Sequence, residues 1–600
     1  MLHIKKPQPK KVLRASLSLF LALCFIIPTS VFPSKGADFD VGSNFRVGLV
    51  YGSSVKKSIT ITSASGYTAG VQGVTDGSRD YYSAICTLPS GTLYVTADGY
   101  NSSGTASGGY HVQCTTDFTN YASANNAATA IKNAVSSSYT VIPCYIDGKY
   151  KVRVGNFDST SAANTAMTQI KNKASSYGFE VSSPSDTCMS VFNSSQALIF
   201  EFSAPSYSAL GLRASSGYMT YNNKTYEGTL TFSRYKTTSY NGVQLVSILP
   251  IERYVMCVIP NEVMTSWTAE TLKAFAVTVR SYALSMKNNY DSSYHFDITA
   301  TSQVYGMASN VDAKTIAAVQ DTAGLVIAYN GSVAQAFYSS SVGGVTVGSG
   351  DAYVTSLPYL KAVRTPWEKY SSLSSGYHGL WTKELTGAEL LANIKSYGYA
   401  SLTGTAITSL KINSYGENST YVKSVTVTDN KGNTATLSNS DTVRTRLGLY
   451  SANFVVGVGS VTYTYDTVTT LGTSAKDGAY PAFNLSGFNV ITKLGNLFGR
   501  STGKTSVQTS SGLITNVPPK ANVITGKNTS SGKDVYTVTS TTATAKGASG
   551  SFVFAGKGYG HGVGLSQFGL RDLGSMGYNY EEMLNLYYTD VQIVKYTSLK

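Results

Sequence analysis

Between residues 45 and 99 polar and apolar positions alternate. Phe45 to Tyr51, Ile59 to Thr62 and Thr92 to Thr96 each follow the two-residue period of a half-buried strand. They predict a small β-rich module over residues 38–104, and the Gly/Ser/Asn stretch from Asp98 to Gly109 reads as a linker. Residues 110–192 hold an internal near-repeat. His111 to Cys114, Phe118 and Ala127 to Lys132 parallel Lys151 to Val154, Phe157 and Ala166 to Lys171. Each copy is a strand, a polar turn and an Ala-rich helix. A further strand follows each: Tyr139 to Cys144, then either Phe179 to Val181 or Cys188 to Phe192. The order β-α-β-β-α-β predicts a small split-βαβ sandwich with one open sheet face. Residues 205–456 mix strands and helices. Residues 457–552, rich in Ser, Thr, Gly and Asn, alternate only weakly and read as an insertion; strong patterning returns at Ser551 and runs through 553–600. The predicted class is α+β, β-rich and multi-domain.

Val243 to Ile259 reads as a β-rich run, after which the period becomes helical. Leu272, Phe275, Ala276, Val279 and Ala283 form one apolar stripe. Ser266 or Thr268 can cap that helix, and Glu270 suits its first turn. Glu262 falls between the run and the helix, flanked by Ile259, Pro260, Val263, Met264 and Trp267. Such neighbours would desolvate the carboxyl and raise its pKa toward the range of a general acid. On those residues alone, a glutamate ahead of a helix is more often a solvated capping residue.

Composition narrows the class. Charged residues are only 13% of 600, and their place is taken by Ser, Thr, Asn, 56 Gly and 44 Tyr. With 12% aromatics the chain is not disordered, and with a single long apolar stretch it is no polytopic membrane protein. The composition favours β-rich extracellular domains that face polymers. Lys5, Lys6, Lys10, Lys11 and Arg14 precede an apolar run from Leu17 to Ile27, with Ser34, Gly36 and Ala37 beyond. Residues 1–37 therefore read as a secretory signal peptide or a membrane anchor, and the protein is expected outside the membrane or in the wall. Membrane contact is expected only through that segment. Without it the net charge falls from +14 to +8, spread along the chain with no basic run, which argues against nucleic-acid binding. Cys86, Cys114, Cys144, Cys188 and Cys257 remain, none at zinc-finger spacing. One disulfide is possible in an oxidising compartment; Cys257, in an apolar run, reads as a buried small hydrophobe.

Tyr150 to Phe157 followed by a helix resembles the SPOR domain. The resemblance implies binding of peptidoglycan glycan strands lacking stem peptides, on the open sheet face, with Gln113, Arg153 and Phe157 nearest it. The other reading is a purely structural ferredoxin-like unit.

Four blocks resemble the SpoIID/LytB family in order: Leu249 to Ala283, Asp321 to Thr346, Pro358 to Trp367, and Gly560 to Tyr588. The resemblance covers residues 205–456 and 553–600. It implies a cell-wall enzyme, a lytic transglycosylase acting on denuded glycan strands, in wall remodelling or sporulation. The alternative branch is a non-catalytic activator of an N-acetylmuramoyl-L-alanine amidase, which would make such an amidase a partner. Glu262 matches the family's catalytic glutamate and Arg280 the arginine of an Arg-Thr-Tyr motif, here with Ser281. Tyr338, Tyr359, Lys361, His561 and Gln567 match positions implied to line the glycan groove. Tyr338, Tyr359 and Lys361 also read as packing, and His561 as a side chain that locks a Gly-rich loop. Some members carry a His/Cys zinc cluster before the Gln303 to Tyr305 match. Here only His295 is present, and one ligand does not make a zinc site, so neither a metal nor another cofactor is expected.

Overall fold

The computed structural model describes residues 44–600 except 74–80, 136–137, 204–207, 287–295, 298–302, 366, 369–378, 458–504, 510–511, 518–541, 545–550 and 600. The expected signal or anchor segment and His295 lie outside the described residues. Among the described residues no helix is long and apolar enough to cross a membrane.

The alternating N-terminal segments form β1 (Asn44–Val50), β2 (Ser58–Ser63), β3 (Tyr67–Gly73), β4 (Tyr82–Leu88) and β5 (Gly91–Ala97). The split-βαβ region supplies β6 (Tyr110–Cys114), α1 (Tyr121–Ala134), β7 (Val141–Ile146), β8 (Lys149–Phe157), α2 (Thr160–Lys173) and β9 (Phe179–Ser182). Then come β10 (Met189–Phe192), β11 (Leu198–Phe202), β12 (Ser208–Ala214), β13 (Met219–Tyr221), β14 (Lys224–Tyr226), β15 (Thr229–Lys236) and β16 (Asn241–Pro250). α3 (Ile251–Glu262), α4 (Ala269–Ser285) and the short β17 (Phe296–Asp297) follow. The fold is mixed and strand-rich, as expected.

Residues 38–104 do not stand as a separate module. One sheet runs β17-β1-β16-β15-β12-β3-β4, so β1 lies between β16 and β17, and β3 pairs antiparallel with β12. Phe45, Ile61 and Val95 share one core with Phe232, Tyr254, Phe275 and Tyr587. The alternation announced strands but not their partners, which lie more than 200 residues away in Asn44 opposite Pro250.

The split-βαβ unit has the strand order β7-β8-β6-β9, with Asn120 and Ser159 capping its two helices. Of the two candidates for its last strand, Phe179 to Val181 takes the place, while β10 pairs with β5. The sheet face away from α1 and α2 is not open. β11 joins the β7 edge, and the sheet curls until Ile142 packs with Phe192 and Leu198. Gln113 and Arg153 are consequently buried, at 9% and 4% exposure. Arg153 Nε donates to Gln113 Oε1 (2.9 Å) and its Nη1 to Glu201 Oε2 (3.0 Å). Phe157 packs into the helix-side core, edge-on to Tyr139 at 5.9 Å, because Gly155 at φ +82° shifts the side-chain alternation by one. The expected glycan-facing role of Gln113, Arg153 and Phe157 is therefore corrected: none of the three presents an open sheet surface. Among the described residues the five cysteines are buried and free, Cys257 among them.

A second core gathers Trp381, Leu390, Leu410, Val425, Phe454 and Phe554. Strand Phe454–Gly457 pairs with Ser551–Lys557, so the chain re-enters the sheet it left on either side of the weakly patterned stretch.

Candidate functional site

Pro250 ends β16 and stands at the N-cap of α3, so the helix begins at Ile251 and not after Ile259. The expected strand is a helix buried on all sides from Tyr254 to Ile259. With no polar stripe, a run rich in Val and Ile reads as strand or helix alike. The helix ends where Asn261 Nδ2 donates to Cys257 O and Gly306 O, both at 2.7 Å. Glu262 is its last residue.

The Glu262 carboxylate is half-buried and held from two sides. Val304 N donates to Oε1 (2.8 Å) and Gln567 Nε2 to Oε2 (3.1 Å). Desolvation raises the carboxyl pKa; the hydrogen bonds from Val304 and Gln567 and the Tyr338 hydroxyl pull the other way. The partial negative charge at the end of α3 adds to the upward shift. The Tyr338 hydroxyl is buried and close enough to act on Glu262, yet it completes no hydrogen bond of good geometry. Its ring stands edge-on to Phe275 of α4 at 5.1 Å.

Each partner is delivered by a defined local structure. Tyr305 stacks on Tyr254 at 5.3 Å and bonds Ser247 Oγ (2.8 Å), while Gln303 Oε1 accepts from the Tyr254 hydroxyl (2.8 Å). Together they fix Val304 N–H on the carboxylate. Strand Tyr338–Ser339 pairs in parallel with Leu565–Ser566, and Ser566 caps the following helix by accepting from Gly569 N (3.1 Å). That cap places Gln567, itself buried, against the Glu262 carboxylate. The loop before it needs glycine: Gly564 has φ +73°, and a Cβ there would lie 2.2 Å from Phe337 O.

The site thus gathers Glu262, Gln567 and Tyr338, and adds Val304 by its backbone, which no side-chain pattern could announce. Other expected site residues lie elsewhere. Arg280 is fully buried against Glu252, with Nε to Oε1 at 2.9 Å and Nη2 to Oε2 at 2.5 Å. It is a structural ion pair and does not reach Glu262. Tyr359 is buried, its hydroxyl accepting from Gln335 N (2.8 Å), so it packs and does not line a groove. Lys361 is exposed. His561 Nδ1 accepts from Val563 N (3.0 Å), and its ring sits between Phe337 and Tyr353. Burial pushes its pKa down to about 4, so the imidazole is neutral and locks the loop.

Behind the site lies a second buried acid that the sequence reading passed over. Glu368 follows Trp367 and accepts from Ser341 Oγ (2.5 Å), Val342 N (3.1 Å) and Thr365 Oγ1 (3.2 Å). It ties the end of the Tyr338 strand to the chain after Thr365. Burial pushes its pKa up to about 7. A carboxyl raised in the folded state contributes its full stability below the unfolded value, and that stability is lost as pH rises through the folded value. From pH 4.5 to 8 the wild type is expected to lose about 3 kcal/mol that Glu368→Gln does not lose, at about 1.4 kcal/mol per pH unit. Chemical denaturation of both proteins across that range checks it; parallel profiles would refute it.

Residues 239–329 match the model of the stage II sporulation protein (SpoIID) family, and residues 106–182 match the SPOR domain. Among curated relatives, an amidase enhancer of Bacillus subtilis (strain 168) is 44% identical over 105 residues, 18% of this chain and 14% of its own. The stage II sporulation protein D of the same strain is 28% identical over 227 residues, 35% of this chain and 61% of its own. An uncharacterised protein of Brachyspira hyodysenteriae is 33% identical over 146 residues, 24% of this chain and 39% of its own. The chain spans less than two thirds of each of these relatives. On these matches the chain carries a SPOR domain followed by a domain of the stage II sporulation protein SpoIID family.

Proposed function

We propose that this protein is a cell-wall lytic transglycosylase that cleaves the MurNAc–GlcNAc bond of glycan strands lacking stem peptides, with Glu262 as its acid and base. The observation that carries the reading is one desolvated, doubly hydrogen-bonded carboxyl. The described groups that perturb it are a backbone N–H, an amide and a phenol, with no second carboxylate among them. A hydrolase of glycosidic bonds needs two carboxyl groups, one for the leaving oxygen and one for water or as nucleophile. A transglycosylase needs one, because the sugar's own C6 hydroxyl replaces water. Protonated Glu262 gives its proton to the glycosidic oxygen as the C1–O bond breaks. The C6 oxygen then closes on C1 and returns its proton to the carboxylate. The products are a 1,6-anhydro-muramyl end and a free 4-hydroxyl. The Val304 N–H and Gln567 hold the carboxylate between the two transfers.

A second reading, an activator of a wall amidase, is favoured by the 44% identity to the amidase enhancer. Incubating the purified chain with amidase-treated glycan strands and analysing products by mass spectrometry separates the two. Anhydro-muramyl ends are expected. Strand binding without release, together with faster turnover of an added amidase, would overturn the enzyme in favour of the activator.

A further inference from the structure

We propose that Asp98, His111 and Glu201 bind one divalent transition-metal ion of the zinc class, at a site separate from Glu262. The three residues come from distant parts of the chain: just after β5, on β6 and on β11. They are 5%, 1% and 0% exposed, and one donor atom from each lies within 4.8 Å of the other two.

The bonding around them is that of ligands held from outside. His111 Nδ1 is tied to Gly155 O (2.9 Å), so Nε2 points into the cluster. Asp98 Oδ2 accepts from Ser185 N (2.8 Å), leaving Oδ1 turned inward. Glu201 Oε2 accepts from Arg153, leaving Oε1, which also accepts from Ser190 Oγ (3.0 Å). Two of the three inward atoms, Asp98 Oδ1 and His111 Nε2, are buried without a hydrogen-bond partner. An unmatched buried polar atom is destabilising, and a buried unpaired charge more so.

Two fillers are conceivable, a proton and a cation. His111 Nε2 is 3.1 Å from Glu201 Oε1, but the contact lacks hydrogen-bond geometry. A proton there leaves Asp98 Oδ1 still unmatched. One ion satisfies all three atoms together. At tetrahedral metal–ligand bonds of about 2.0–2.2 Å, donor atoms lie about 3.4 Å apart, so shifts below an ångström in each side chain close a set whose donors already lie within 4.8 Å. Imidazole with two carboxylates suits zinc, and the guanidinium on Glu201 Oε2 offsets one carboxylate charge while orienting the ligand. Such an ion would cross-link β5, β6 and β11 where the ten-stranded sheet curls on itself. This site does not depend on the proposed activity.

The site is sealed, so the test loads it during folding. The untagged full chain is unfolded, refolded with Zn²⁺ or with EDTA, desalted, and its zinc measured by mass spectrometry alongside its Tm. About one zinc per chain and a Tm several degrees above the EDTA sample are expected, since an ion bound only by the native state stabilises it. Asp98→Asn keeps an oxygen for Ser185 N but turns an amide NH₂ into the cluster. It is expected to fold, by circular dichroism, and to lose the zinc while retaining all six cysteines as an internal control. Wild type with no more zinc than Asp98→Asn, or a Tm indifferent to Zn²⁺, overturns the proposal in favour of a proton on His111. Should Asp98→Asn fail to fold, the wild-type stoichiometry and Tm with Zn²⁺ against EDTA decide alone.

Discussion

Glu262→Gln is expected to lower strand cleavage by about four orders of magnitude, the upper end of what a general acid–base contributes, because one group performs both proton transfers. The variant should fold as wild type. A glutamine oxygen still accepts from Val304 N, and Gln567 can turn its amide to offer an oxygen to the new NH₂. Release of anhydro-muramyl ends, measured over a time course, checks the loss. A variant within tenfold of wild type would remove Glu262 from the chemistry. The pH profile adds a second readout. The acid must be protonated before the first transfer, so activity falls as pH rises through the Glu262 pKa. Burial raises that pKa, and the descending limb should lie above the ordinary carboxylate range near 4.3. Tyr338→Phe removes a group that lowers the pKa, and should move that limb to higher pH. A merely structural tyrosine would change the amplitude and leave the limb in place.

Part of this centre was legible because its chemistry is carried by short local strings. Glu262 stands among apolar neighbours, Ser566 caps a helix after a Gly-rich loop, and Gln567 follows it directly. Val304 was not legible, since it acts through a backbone N–H set by Tyr305 stacking on Tyr254. The helical stripe of α4 was legible and the helix of α3 was not. The former interleaves Thr271, Lys273, Thr278, Arg280 and Ser281 with its apolar stripe, while the central run of the latter, Tyr254 to Ile259, holds no charged position to mark a period. Long-range placement was the largest loss. Nothing in Phe45 to Tyr51 says that it pairs with β16, and nothing in His111 to Cys114 says that β11 curls over it. The SPOR-like face was therefore expected open, and its Arg153 exposed to sugar, when Glu201 waits 48 residues further on to bury it.

Arg280→Met is expected to cost about 3–5 kcal/mol of stability without touching the chemistry. Arg280 lies on a helix whose positions from Thr271 to Leu284 are almost all buried, so its charge has no route to water. It is matched by Glu252, and Nη1 donates to Leu325 O (3.0 Å). Glu252 Oε1 accepts in addition from Gly324 N (2.9 Å). Removing the arginine leaves a buried carboxylate with that single N–H, and an uncompensated buried charge costs about 3–5 kcal/mol. At roughly 2–4 °C per kcal/mol the Tm should fall by about 6–20 °C. Replacing both partners, Glu252→Leu with Arg280→Met, removes the charge that made the single change expensive. The double variant should recover most of the loss, as exchange of a buried pair for apolar residues is often near neutral. Well below its Tm it should also cleave strands at close to the wild-type rate. A double variant as unstable as the single one would mean that the Gly324 and Leu325 contacts, and not the charge pair, hold this junction. A stable double variant with the activity of Glu262→Gln would restore Arg280 to the catalytic centre. The geometry predicts against both, because every described hydrogen bond of the guanidinium goes to Glu252 or Leu325 and none to the groups around Glu262.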